Sequence, residues 1–219
     1  MTYNFDEHKH RYAVWTAARA VQRSFAKTSD IKNAINCTGL RQFSESDISI
    51  TQDTYDTKQK EWCNLIIDHF SKLDKSPKSP SDPPEKYKCS YGRASKIIAI
   101  YLKTSIILPS KGQTKNCSVI HPPIDRILLE CLADKKNIKE LLEKPWTQFE
   151  EKDYWRIVRI IRVNDLTFDW TLEEYWHSNQ KPKGWPEAFQ EMAKNGDDEL
   201  LIPDIFEDED FSDWILKEV

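Results

Sequence analysis

Apolar positions along this chain recur at spacings of three and four residues far more often than they alternate, the pattern of helices that each bury one face. The clearest stripe is Ala94, Ile97, Ile98, Tyr101 and Leu102, at i, i+3, i+4, i+7 and i+8, which predicts a helix over residues 91–103. Asn4-Phe5-Asp6-Glu7-His8 reads as the start of another, running to about Phe25 with alanines on one side for close packing and His8, His10, Arg11, Arg19 and Arg23 on the other. Thr28-Ser29-Asp30 caps a short helix, Ile31 to Cys37, that stops at Thr38-Gly39, and residues 46–52 read as a loop. Thr54-Tyr55-Asp56 opens a helix with Trp62, Leu65, Ile66, His69 and Phe70 on one face, which makes His69 a core histidine.

The second half continues in the same way. Helices are expected from Arg126 through Leu132 and over Ile138, Leu141 and Leu142, stopping at Lys144-Pro145. Thr147 and Glu150 have the spacing of a capping box for a helix to about Val163, which buries Tyr154, Ile157, Val158, Ile160 and Ile161. Arg156, Arg159 and Arg162 line a flank of that helix, placed for phosphate or for ion pairs. Thr171-Leu172-Glu173-Glu174 caps a short helix carrying Tyr175 and Trp176, Lys181 to Pro186 forms a turn, and a last helix ends near Gly196. The fold class is therefore mainly α, a multi-helix protein with little sheet. Residues 1–219 form one α-helical domain or two lobes, 1–74 and 85–219, joined by the proline- and serine-rich linker 75–84.

Composition agrees with a packed core. A chain of 219 residues buries about 70% of its unfolded surface, and eight Trp, eight Tyr and nine Phe offset a hydrophobic content of only 39%. Five scattered cysteines without a C-x-x-C pair exclude zinc and iron–sulfur spacing, so no metal and no cofactor are implied. With no signal peptide and no long apolar run, they point to a reduced, cytoplasmic protein without a membrane partner.

Net charge is −4, but its distribution changes the picture. From Lys86 to Lys115 every charge is basic, whereas from Asp197 to Asp213 every charge is acidic. The basic block suits phosphates and makes nucleic acid the expected partner. The acidic segment, punctuated by Leu200, Ile205 and Phe206, reads as one that docks on this chain or on a protein partner. A loop rich in Lys, Gly, Gln and Thr, Ser110 to Asn116, reads as a mobile cover.

Within the basic block Lys96 is placed in the first turn of its helix, where the partial positive charge of unpaired N–H groups favours loss of its proton and a nucleophilic amine. His121-Pro122-Pro123-Ile124-Asp125 leads into the helix from Arg126, which makes Asp125 an N-cap with its carboxylate fixed in place.

Gly92-x-x-x-Lys96, an apolar helix, a variable loop and Pro-x-x-Asp125 before another helix resemble the catalytic segment of helix-hairpin-helix DNA glycosylases, particularly the 8-oxoguanine glycosylase and lyase branch. The resemblance implies a two-lobed architecture, DNA as partner, Lys96 attacking the anomeric carbon, and Asp125 assisting base departure and Schiff-base formation. Where the family has Leu-Pro-Gly-x-Gly, this chain reads Lys88-Cys89-Ser90-Tyr91-Gly92. Gly92, Arg93, Lys103, Lys88 and His121 are then the residues expected to meet nucleic acid. The other reading is a non-catalytic helical module that binds nucleic acid or protein, with Lys96 exposed and Asp125 only a cap. Helical ribonucleases with Arg four to six residues before His are excluded, since no histidine has that neighbour. Metal-dependent nucleases lack their cluster of His, Asp and Glu.

Overall fold

A computed structural model of the protein describes residues 4–21, 25–46, 48–74, 86–164 and 166–176, and all of these fall in one unit, Met1–Ser178. Seven α-helices order them: α1 (Phe5–Val21), α2 (Thr28–Asn36), α3 (Leu40–Glu45), α4 (Gln52–Asp74), α5 (Tyr91–Leu102), α6 (Arg126–Lys136) and α7 (Glu151–Val163). No strand occurs among the described residues. The end of the expected first helix at residues 22–25, Arg23, the linker 75–84, the turn Lys181–Pro186, the helix to Gly196 and the acidic segment lie wholly or partly outside the described residues.

α5 is the central element because it is apolar nearly all round. Ala94, Ile97, Ile98, Tyr101 and Leu102 are each fully buried, and burying a side chain of Ile or Leu size contributes roughly 1.5–3 kcal/mol. α1 lies along it through Ala13, Ala17 and Ala18, whose small side chains let the two backbones come close. His10 crosses the same seam, its Nδ1 2.8 Å from the Tyr101 hydroxyl, so this histidine is a core residue and not part of a solvent-facing basic side. α4 packs on another side of α5 through Trp62, Ile66 and Phe70, and the helices before and after the linker share one core.

Local chemistry explains where the elements stop. Asn4 accepts from the Glu7 amide at 2.9 Å to open α1. α5 gives way to a π-helical turn over Lys103–Ile107, where Thr104 and Ser105 donate to the carbonyls of Ile100 and Tyr101 and loosen the regular ladder. Gly112 then adopts φ +72°, and a Cβ there would come 2.5 Å from the Trp170 ring.

Several boundaries differ from expectation. Gly39, at φ −92°, does not end α2 by a left-handed cap. Thr38 closes that helix by donating to the Ile35 carbonyl at 2.6 Å, and Gly39 precedes α3, a helix too short to show periodicity. His69 sits at the rim of α4 rather than in the core, with Leu65 also exposed. α7 is capped by Glu150 and Asp153, not by Thr147, which lies in a 3-10 turn over Trp146–Gln148. Residues Lys139–Leu142 and Trp170–Trp176 are 3-10 helices, the latter opened by Asp169, which accepts from the Thr171 amide at 2.8 Å. The loop expected to cover the Lys96 region is folded elsewhere. Asn116 bonds the Ile48 carbonyl and the Ile50 amide, and residues 110 and 113–116 line a separate depression with Lys9 and Ser44.

Candidate active site

Ser90 opens α5 by accepting from the Arg93 amide at 3.2 Å, which sets the phase of everything that follows on that helix. Lys96 is the sixth residue of α5, past the four whose amides are unpaired, so it sits one turn deeper than the sequence suggests and beyond the reach of the helix start. Its side chain, 11% exposed, runs over the Trp146 ring with Nζ 4.6 Å from the ring centre.

Trp146 reaches that position because Gly92 has no side chain. A Cβ on Gly92 would fall 1.8 Å from the Trp146 carbonyl oxygen, and the Gly92 amide donates to the Phe149 carbonyl at 3.3 Å. Gly92 is therefore the seat of the Trp146–Gln148 turn, and its N–H is already engaged within the protein. The phosphate contact expected of it is not what this glycine provides.

Asp125 is the N-cap of α6, as expected: one carboxylate oxygen accepts from the Leu128 amide at 3.0 Å. The other accepts from Lys96 Nζ at 3.2 Å, and the Trp176 indole N–H donates to both oxygens at 3.1 Å. The carboxylate is thus held by a backbone amide, an ammonium and an indole. Lys96 and Asp125 meet at the wall of a cavity of about 640 Å³ whose sides include Val21, Arg93, Ile127, Leu129, Leu141 and Trp146.

The other sequence-predicted residues divide. Arg93 lines the same cavity, and its guanidinium donates to the Lys88 carbonyl at 2.5 Å and lies over the Phe25 ring. Lys88 is exposed. Lys103 pairs with Glu173 and lies 6.0 Å from the Trp176 ring, so it braces the segment that holds Asp125. His121 is 1% exposed and cannot meet nucleic acid. Its ring bridges the Asp56 carboxylate and the Tyr154 hydroxyl, both at 2.9 Å.

Arg162 completes that second cluster with paired bonds of 2.7 and 3.0 Å to Asp56, and Arg156 pairs with Glu143 at 2.7 Å, so two of the three arginines on α7 form ion pairs. Burial pushes His121 below its ordinary value, with the Asp56 hydrogen bond opposing. Burial alone would raise Asp56, but hydrogen bonds from His121, Arg162 and Gln52 outweigh it and hold the carboxyl well below the usual range. Sequence reasoning missed this cluster, and it also missed Trp146 and Trp176; only the arginine row on α7 signalled any part of it.

Among the described residues no group of three His, Cys, Asp or Glu is arranged to hold a metal, and no helix is long and apolar enough to cross a membrane. No protein-family model, curated protein or solved structure matches the chain.

Proposed function

We propose that the Lys96–Asp125 cavity is the active site of a base-excising N-glycosylase and lyase acting on a modified nucleobase in DNA, and that the surrounding helices are a variant of the two-lobed helix-hairpin-helix glycosylase architecture. The observation that carries this reading is the 3.2 Å contact between the amine and a carboxylate on a cavity wall, the two groups that the resemblance pairs.

The chemistry follows from those positions. Asp125 accepts a proton from the Lys96 ammonium, and the neutral amine attacks the anomeric carbon of a nucleotide held in the cavity. The C1′–N bond breaks with its electron pair leaving on the base, which takes up the proton that Asp125 received from Lys96. As Asp125 passes a proton from the Lys96 nitrogen to the ring oxygen, the sugar ring opens and gives an iminium between Lys96 and C1′, with the Asp125 carboxylate beside the positive charge. The Trp146 ring, 4.6 Å from Lys96 Nζ, faces that positive charge.

The test is borohydride trapping with oligonucleotides bearing oxidised or otherwise modified bases. A covalent adduct formed by the parent protein and lost in Lys96→Gln supports the enzyme. Binding of DNA without any adduct favours the non-catalytic module instead.

A further inference from the structure

Lys103 stands seven residues beyond Lys96, two turns and about 10.5 Å further along the same face of the helix. Each lysine has its own carboxylate: Lys96 meets Asp125, and Lys103 meets Glu173. Trp176 links the two pairs. Its indole N–H donates to both oxygens of Asp125, and its ring centre is 6.0 Å from Lys103 Nζ.

The segment that carries Glu173 and Trp176 has little to hold it by itself. Trp170–Trp176 is a 3-10 helix of seven residues, long for that conformation, and only Leu172 within it is buried. Asp169 opens it, Trp170 packs against Gly112, and the Tyr175 ring lies 5.3 and 5.5 Å from the ammonium groups of Lys135 and Lys136 on α6. Trp176 is 46% exposed, so water competes for its bond to Asp125 once the segment shifts. Glu173 is the charged anchor. Its side chain is 16% exposed, one oxygen accepts from Lys103, and the other, Oε1, is buried without a hydrogen-bond partner. Taking away either member of such a pair leaves the other charge uncompensated.

We infer that Lys103 and Glu173 are positioning residues for the Lys96–Asp125 site: their ion pair ties the Trp170–Trp176 segment to α5 and so keeps the Trp176 indole on the Asp125 carboxylate. Neither residue lines the Lys96 cavity, so both act through Trp176 and not on a molecule held there. Lys103, which the basic run marks for nucleic acid, is thereby given to a carboxylate of its own chain. The consequence for chemistry rests on the proposed excision reading, whereas the tie rests on these contacts alone.

The tie is read from solvent exchange of the Trp176 indole N–H, followed by nuclear magnetic resonance in the full chain. Glu173→Gln and Lys103→Gln are each expected to speed that exchange about tenfold or more, while the amides of α6 exchange as in wild type. The double variant should exchange no faster than either single one, because both remove the same pair. Unchanged indole exchange in either single variant would overturn the inference, as would an equal loosening of α6 or effects that multiply in the double variant. In borohydride trapping, Glu173→Gln should slow adduct formation, and adding it to Trp176→Phe should slow it no further. A further slowing there would show that Glu173 does not act through the indole. If wild type forms no adduct with any modified oligonucleotide, the excision reading fails, and the exchange measurement decides the tie by itself.

Discussion

Trp176 donates its indole N–H to both carboxylate oxygens of Asp125, at 3.1 Å each. This bond fixes the rotation of the carboxylate about its own axis, which the Leu128 amide and Lys96 constrain from other directions. Trp176→Phe keeps a ring in place and removes the donor. A hydrogen bond to a charged group contributes about 1.5–3 kcal/mol, so single-turnover adduct formation is expected to slow roughly tenfold to hundredfold. The thermal midpoint should stay within about 5 °C of wild type. An unchanged rate would show that the indole only packs.

Asp125 has two duties that substitution separates. Asparagine caps a helix about as well as aspartate, so Asp125→Asn should keep the start of α6, while leaving the largely buried Lys96 ammonium without its carboxylate should cost about 1–3 kcal/mol. It removes the proton acceptor for Lys96, and adduct formation should fall about 10²- to 10⁴-fold. Asp125→Ala loses the cap as well and should cost a further 0.5–2 kcal/mol or so in urea unfolding. Wild-type trapping by the asparagine variant would remove the carboxylate from the chemistry.

Gly92→Ala tests the seat of Trp146. The new methyl group would lie 1.8 Å from one backbone oxygen and 3.0 Å from the carbonyl carbon, and neither can rotate away. Overpacking of this kind costs about 1–3 kcal/mol or more. The expected result is a lower urea midpoint together with weaker trapping, since the ring beneath Lys96 is displaced. A variant as stable as wild type would contradict the close approach.

Stability should fall on mild acidification, and the histidines are the cause. Burial holds His121, His10 and His69 below their ordinary value of 6.5 in the folded protein. The unfolded chain therefore binds protons below pH 6.5 that the folded chain does not, and stability is lost as pH falls through that window. Asp56 acts lower: its folded value is depressed, so its contribution is intact above its ordinary 3.8 and goes only in stronger acid. Calorimetry should give a lower thermal midpoint at pH 5 than at pH 7.5. His121→Gln should be less stable at pH 7.5 and show a shallower decline.

Legibility in the sequence tracked distance along the chain. The apolar stripe of α5, the opening of α1 by Asn4 and the cap at Asp125 were readable, because each involves residues three or four positions apart. α3 was missed, since six residues show no period, and the cap of α7 was misassigned because several acceptors compete within a few residues of its start. His121 was read from the basic run and prolines near it, and its burial between Asp56 and Tyr154 left no trace there.

By itself the sequence determined a mainly helical chain and the N-cap position of Asp125 at the start of α6, because capping and periodicity are local interactions. Tertiary structure alone decided that Lys96 and Asp125, 29 positions apart, touch at a cavity wall. It also decided that Trp176 and Asp125, 51 apart, share a hydrogen bond, and that Arg162 and Asp56, 106 apart, form a half-buried ion pair. Such partners meet only when helices pack, and packing depends on the shapes of whole faces, which no short window of residues encodes.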